Sequence, residues 1–186
     1  MNEAVSILKK GGIVVLPTDT LYGVVGSAFL PEAVERIYDV KGRDENKPFI
    51  VLVSSIVDLK KFGIKLTEKH RAFLKNVWPG KVSVILPCTS KKFEYVHRRT
   101  KSLAFRMPDK KDLIELLKKT GPLVAPSANP QGMPPATTAT GAKNYFKKSV
   151  DFYVSDGRKE GEPSVIISLL KKEPEIIRGS LLKLRK

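Results

Sequence analysis

Two apolar periods alternate along this chain, one helical and one strand-like, and their order predicts a layered fold. Residues 2–10 put Ala4, Val5 and Leu8 on one helical face before Gly11-Gly12. The apolar run IVVLP at 13–17 reads as a buried strand, and PTDTLYG at 17–23 as the loop after it, since Pro17, Thr18, Asp19 and Gly23 are turn formers. Pro31 opens a second helix with Ala33, Val34, Ile37 and Tyr38 at helical spacing, ending before Gly42. KGRDENKP at 41–48 has no apolar period and reads as an exposed loop, and FIVLVSS at 49–55 as a further buried strand.

Helices are expected at 56–61 and 68–77, the second capped by Thr67 and stopped by Pro79-Gly80. VSVILP at 82–87 and LAFRMP at 103–108 read as strands, with the basic stretch KKFEYVHRRTK at 91–101 between them. Asp109 is expected to cap a helix to about 119, and PLVAPS at 122–127 to be a strand. A Pro-rich loop, SANPQGMPPATTAT at 127–140, leads to a helix near 140–147 and strands near 151–154, 164–169 and 175–178. This order predicts a single α/β domain over 1–186, a mixed sheet flanked by helices, without repeats or an interdomain linker.

Composition narrows the class. With 41% apolar and 28% charged residues the chain is not of the disordered type, and 186 residues bury a core without help from disulfides or a structural metal. Cys88 is the one cysteine, and His70 and His97 lie far apart, so no disulfide framework forms and no metal site is expected. No apolar stretch approaches the roughly 20 residues that span a bilayer, and MNEAVSILKK lacks the order of a signal peptide, so a soluble, cytoplasmic protein with no membrane partner is expected. The 34 Lys and Arg exceed the 19 Asp and Glu by 15, a field that attracts nucleic acid, nucleotides or other anions and also serves solubility.

Four places could hold chemistry. Thr18, Asp19, Thr20 and Tyr22 offer hydroxyls and a carboxylate just after a buried strand, to grip a small polar ligand or to bond their own turn. Lys41, Arg43 and Lys47 put three cations into seven residues, a phosphate or carboxylate binder or a solvated face. Ser127 and Asn129 begin the Pro-rich loop, where both reach one ligand or satisfy the turn. Arg106 interrupts an apolar strand and needs an anionic partner if buried, either a structural carboxylate or a ligand; Arg178, ending EIIR, poses the same question. There is no GxxxxGK[ST] loop, no GxGxxG after a strand, no HExxH and no His-activated nucleophile in recognisable context. The remaining hydroxyls, cations and amides suit positioning and electrostatic stabilisation of anionic substrates, as in nucleotidyl or phosphoryl transfer.

In order, GGIVVLPTDTLYG, Lys41-Gly42-Arg43, WPG at 78–80, SLAFRMP, APSAN, PSV at 163–165 and IIRG resemble the YrdC family of threonylcarbamoyl-AMP synthases, over about residues 11–179. The resemblance implies a twisted α/β sheet with a concave basic face, in the short form that lacks an extra C-terminal domain. It also implies synthesis of L-threonylcarbamoyladenylate and pyrophosphate from L-threonine, bicarbonate and ATP with Mg²⁺, supplying a partner transferase that modifies adenosine in tRNA. Carried over by motif, Thr20, Arg106, Ala125 (through its backbone) and Ser164 are expected to contact threonine. Arg43, Lys47, Ser102, Ser127, Asn129 and Arg178 are expected to contact ATP, and Lys41, Arg43, Ser127 and Asn129 to serve catalysis. Lys47 stands where many relatives have Asn, and Pro134-Pro135-Ala136-Thr137 replaces a more polar stretch. The competing reading is a tRNA- or dsRNA-binding protein of the same fold without catalysis, using Lys91, Lys92, Arg98, Arg99 and Lys101 with Phe93, Tyr95 and His97 interleaved.

Overall fold

A nine-stranded sheet organises residues 1–180, the part of the chain described by the structure, a computed structural model. Its strands are β1 (Val14–Pro17), β2 (Tyr22–Ser27), β3 (Val51–Leu52), β4 (Val82–Pro87), β5 (Ser102–Arg106), β6 (Leu123–Val124), β7 (Phe152–Tyr153), β8 (Val165–Ser168) and β9 (Glu175–Arg178). They lie in the order β7-β1-β2-β6-β3-β5-β4-β8-β9. The sheet is mixed: β1–β7, β3–β5 and β4–β8 run parallel, and the other neighbours antiparallel, as in Val14 opposite Val25 and Val84 opposite Phe105.

The helices are α1 (Asn2–Lys9), α2 (Pro31–Lys41), α3 (Glu68–Val77), α4 (Glu94–His97), α5 (Lys111–Thr120) and α6 (Ala139–Phe146). They cover both sheet faces, and β1 shows why the apolar run was continuous. Val14 and Leu16 pack with Ala4 and Leu8 of α1 and Leu113, Leu116 and Leu117 of α5. Ile13 and Val15, one residue out of phase, join the larger core of Val34 and Ile37 of α2 with Phe62, Phe93 and Phe105.

Several expectations change. The apolar pattern predicts no strand at 22–27, yet β2 is buried at every position between β1 and β6; Gly23 and Gly26 interrupt its apolar pattern and disguise it. The expected helix at 56–61 is a 3₁₀ segment, Ile56–Phe62, held by a reciprocal Ser55–Asp58 cap. Asp109 does not cap α5: Lys110 occupies that position without a side-chain hydrogen bond, and the Asp109 main-chain N–H donates to Asp19 Oδ2 at 3.2 Å. Thr67 does cap α3, accepting from the His70 N–H at 3.2 Å. Among the described residues no helix is long and apolar enough to cross a membrane.

Candidate functional site

The turn Thr18–Leu21 between β1 and β2, the end of β5, the loop after β6, the approach to β8 and the end of β9 meet around a cavity of about 420 Å³. Thr18 shapes the first of these by accepting from the N–H groups of Thr20 (3.1 Å) and Leu21 (3.2 Å) while donating to the Leu21 carbonyl (2.8 Å). Thr18 is thus largely occupied by its own turn, whereas the Thr20 hydroxyl, 3.0 Å from that of Thr18, lies on the cavity wall.

Of the residues expected in a site, Thr20, Arg43, Ser102, Arg106, Ala125, Ser127, Ser164 and Arg178 line this cavity together. Three guanidinium groups therefore face one space, and among the described residues no carboxylate lines it. Burial lowers the pKa of Arg178 from its ordinary value, and the positive charges of Arg106 and Arg43 lower it further. Burial does the same to Arg43, whose guanidinium lies 5.3 Å from the Phe49 ring centroid and donates through Nε to the Lys47 carbonyl at 3.2 Å. Arg178 donates through Nη2 to the Ser164 carbonyl at 3.0 Å, and the Ser164 hydroxyl is 2.9 Å from that of Ser83 in the core.

Arg106 has its structural carboxylate. Its Nη1 donates to Asp19 Oδ1 at 2.5 Å, with both side chains 5% or less exposed, and Nε is buried without a partner. Burial lowers the Arg106 pKa, opposed by Asp19. The Ala125 N–H is committed to the Ile50 carbonyl at 2.9 Å, so a main-chain contact from Ala125 to a ligand falls to its own carbonyl.

Three expected residues sit elsewhere. Lys41 is buried beside the cavity, its Nζ donating to the main-chain carbonyls of Ser127 (2.5 Å) and Asn129. Burial, then the charge of Arg43, push its ammonium down to about 7. Asn129 turns its Nδ2 to the carbonyls of Pro130 and Met133, leaving Oδ1 buried without a partner. The Lys47 side chain is 62% exposed and pairs with Asp44 at 3.3 Å.

Sequence reasoning missed the segment that packs on the Thr18–Leu21 turn. The Tyr22 hydroxyl, on a fully buried side chain, donates to the Gly157 carbonyl at 2.7 Å and accepts from the Asp156 N–H at 3.0 Å. Asp156 also pairs with Lys110 (2.6 Å) and Lys159 (3.0 Å), which hold its carboxyl down to about 2. Segment 155–163 is thereby pinned against the Thr18–Leu21 turn, so closely that a Cβ on Gly161 would stand 2.1 Å from the Thr20 carbonyl oxygen. On the other side of that turn lies a second cavity, of about 810 Å³, lined by Asp19, Trp78, Lys81 and Lys110 and sharing Thr18 and Thr20 with the first.

The basic stretch 91–101 is only partly a surface. Phe93, Val96 and His97 are buried, and Tyr95 bonds the Ala28 carbonyl. Arg98 stacks 4.0 Å from the Tyr38 ring centroid and pairs with Glu35 at 2.7 Å. Its aromatics are therefore engaged in the core, and the exposed cations are Lys91, Lys92, Arg99 and Lys101.

Residues 6–180 match the family of Sua5, YciO and YrdC proteins described as telomere recombination. Threonylcarbamoyl-AMP synthase of Bacillus subtilis is 31% identical over 97% of this chain and 54% of its own length. The enzyme of that name from Nitrosococcus oceani is 32% identical over 88% of this chain and 89% of its own. The crystal structure of P. abyssi Sua5 complexed with L-threonine superposes with a TM-score of 0.88 at 28% identity, covering 95% of this chain and 52% of that one. The chain thus spans about half the length of the B. subtilis and P. abyssi relatives.

Proposed function

Because the chain belongs to the family of Sua5, YciO and YrdC proteins, we propose that it is a nucleotidyltransferase that makes threonylcarbamoyl-AMP from L-threonine, bicarbonate and ATP, releasing pyrophosphate. The observation that carries this reading is the convergence of Arg43, Arg106 and Arg178 on one cavity whose described wall is free of carboxylates. Such a space accepts an amino-acid carboxylate and a polyphosphate together.

The reaction needs two bond exchanges. The threonine amine adds to bicarbonate carbon, forming an N–C bond and releasing water, which gives N-carboxythreonine. A carboxylate oxygen of that intermediate then attacks the α-phosphorus of ATP, and the bond to the β-phosphate oxygen breaks as pyrophosphate leaves. In this reading Arg106, Thr20, Ser164 and the Ala125 carbonyl hold threonine. Arg43, Arg178, Ser102 and Ser127 hold the nucleotide, and Arg43 neutralises the charge that moves onto pyrophosphate. Lys41 and Asn129 serve the site by fixing the loop that carries Ser127. Mg²⁺ would enter as part of the nucleotide substrate: the wall presents hydroxyls and guanidinium groups, so phosphate oxygens and water would be its ligands, in keeping with its preference for few protein ligands.

The product is an activated carbamoyl group for a downstream transferase acting on adenosine in tRNA, and Lys91, Lys92, Arg99 and Lys101 are the cations available for tRNA or dsRNA contact. Pyrophosphate release should require threonine, bicarbonate and ATP, and should fall when serine replaces threonine. Release indifferent to threonine would overturn the synthase reading in favour of the binding module.

A further inference from the structure

We propose that Asp19 is a positioning residue, one that aims the Arg106 guanidinium at the amino-acid carboxylate without touching the substrate. The proposal rests on the synthase reading above.

The two residues meet at the partition between the two cavities. Arg106 lines the smaller one and Asp19 does not; Asp19 lines the larger one, across the Thr18–Leu21 turn. The carboxylate therefore approaches the guanidinium from behind. Its Oδ1 accepts from Nη1, and its Oδ2 accepts from the Asp109 main-chain N–H at 3.2 Å, so one side chain grips both ends of the Arg106–Asp109 turn. The Arg106 main chain is fixed independently, by pairing with Leu52 of β3 and by the Val53 N–H donating to its carbonyl at 2.9 Å. With backbone and Nη1 both held, rotation of the guanidinium is suppressed.

Of the donors that Asp19 does not take, Nη2 has no partner among the described residues and remains for a ligand, while Nε is buried without a partner. A guanidinium matches a carboxylate best with two parallel N–H groups, which requires that its plane be set before the ligand arrives. Asp19 also balances charge. With it, the three arginines present two net positive charges to the cavity, and without it Arg106 would be a buried cation with no counter-ion among the described residues. A purely structural role would end there; a positioning role adds a selective effect on threonine.

The test is steady-state pyrophosphate release by the full chain, with the KM for L-threonine and for ATP measured separately. Asp19→Asn keeps the shape and removes the charge. It should raise the threonine KM by at least about tenfold while the ATP KM and kcat change by less than roughly threefold. Asp19→Glu keeps the charge, and so the fold, but moves the carboxylate by one methylene; it should raise the threonine KM by at least about threefold. Asp151→Asn, which breaks an ion pair with Arg36 remote from the cavity, is the control and should leave both KM values unchanged. Should Asp19→Asn not fold, Asp19→Glu decides alone. Threonine KM values unchanged in the folded Asp19 variants, or threonine and ATP KM values rising together, overturn the positioning role and leave the synthase reading intact. Wild-type release that ignores threonine overturns both.

Discussion

Lys41 donates to the main-chain carbonyl of Ser127 at 2.5 Å across 86 residues of sequence, joining the end of α2 to the loop after β6. The Gln131 N–H returns to the Lys41 carbonyl at 2.7 Å, and the Asp44 N–H donates to Gln131 Oε1 at 3.0 Å, so the two segments form one wall. The ammonium holds a loop, and its charge is the price of that hold.

That charge makes stability depend on pH in a defined direction. Burial and Arg43 push Lys41 down to about 7 in the folded protein, against an ordinary value of 10.5. Between these values the unfolded chain binds more protons, so the Lys41 contribution to stability rises with pH; below the folded value both states are charged and the burial cost is fully expressed. Denaturant titrations from about pH 6 to about pH 10 should show wild type gaining on Lys41→Met as pH rises. A difference that stays flat would mean that the two carbonyls keep the ammonium charged throughout.

Arg43→Ala separates the two uses of a single guanidinium. Loss of its stacking on Phe49 should cost about 0.5–1 kcal/mol in thermal or denaturant unfolding. Loss of its charge at the cavity should reduce kcat for pyrophosphate release by about a hundredfold or more. Arg43→Lys should recover little, since a point charge restores neither the stacking nor the forked donors.

Asp151→Ala tests stability without the site. Its carboxylate takes two donors from Arg36, at 2.7 and 2.8 Å, and the N–H of fully buried Ile13 at 2.8 Å. Removing it strands the Ile13 N–H and should cost about 1–3 kcal/mol, read as a lower Tm. Activity below the melting transition should be unaffected. Burial alone would raise the Asp151 pKa, but Arg36 and the Ile13 N–H outweigh it and lower it; its contribution is present above the unfolded carboxyl value and lost as pH falls through the folded one.

Gly161→Ala should act on binding. The added Cβ would meet the Thr20 carbonyl oxygen at 2.1 Å, a main-chain contact that does not yield, so segment 155–163 must lift from the turn. The threonine KM should rise, and calorimetric titration with threonine checks it. Gly157→Ala has open space around it but a φ of +65°, so it should cost about 1–2 kcal/mol of stability through backbone strain alone.

Much of this was legible in residue order. β1, β4 and β8 read as strands from their apolar runs, Thr20 and Ser127 as loop groups at strand ends, and Arg106 as a charge inside an apolar strand, whereas Ser164 followed only from the family resemblance. β2 did not, since its two glycines erase the apolar period and one of its two neighbours, β6, lies far downstream in sequence. Lys41 read as a ligand cation for a related reason: charge and spacing say nothing of which way a side chain turns, and the carbonyls that it meets are 86 and 88 residues downstream. Tyr22 carried a hydroxyl signal, but its partners at 156 and 157 follow only from the fold. Asp19 was visible as one of four polar residues in a turn; its pairing with Arg106 depends on β5 reaching the same partition.

The tether from Tyr22 to Gly157 spans 135 residues, and the third arginine of the cavity is Arg178. During synthesis from the N-terminus, the turn that would receive threonine emerges long before the segment that covers it or the last of its guanidinium groups. A nascent chain halted anywhere before Arg178 would carry an incomplete wall, and with so many pairings between distant segments the sheet closes late and comparatively slowly. The cavity wall would therefore be complete only once Arg178 has emerged and β9 has joined the sheet.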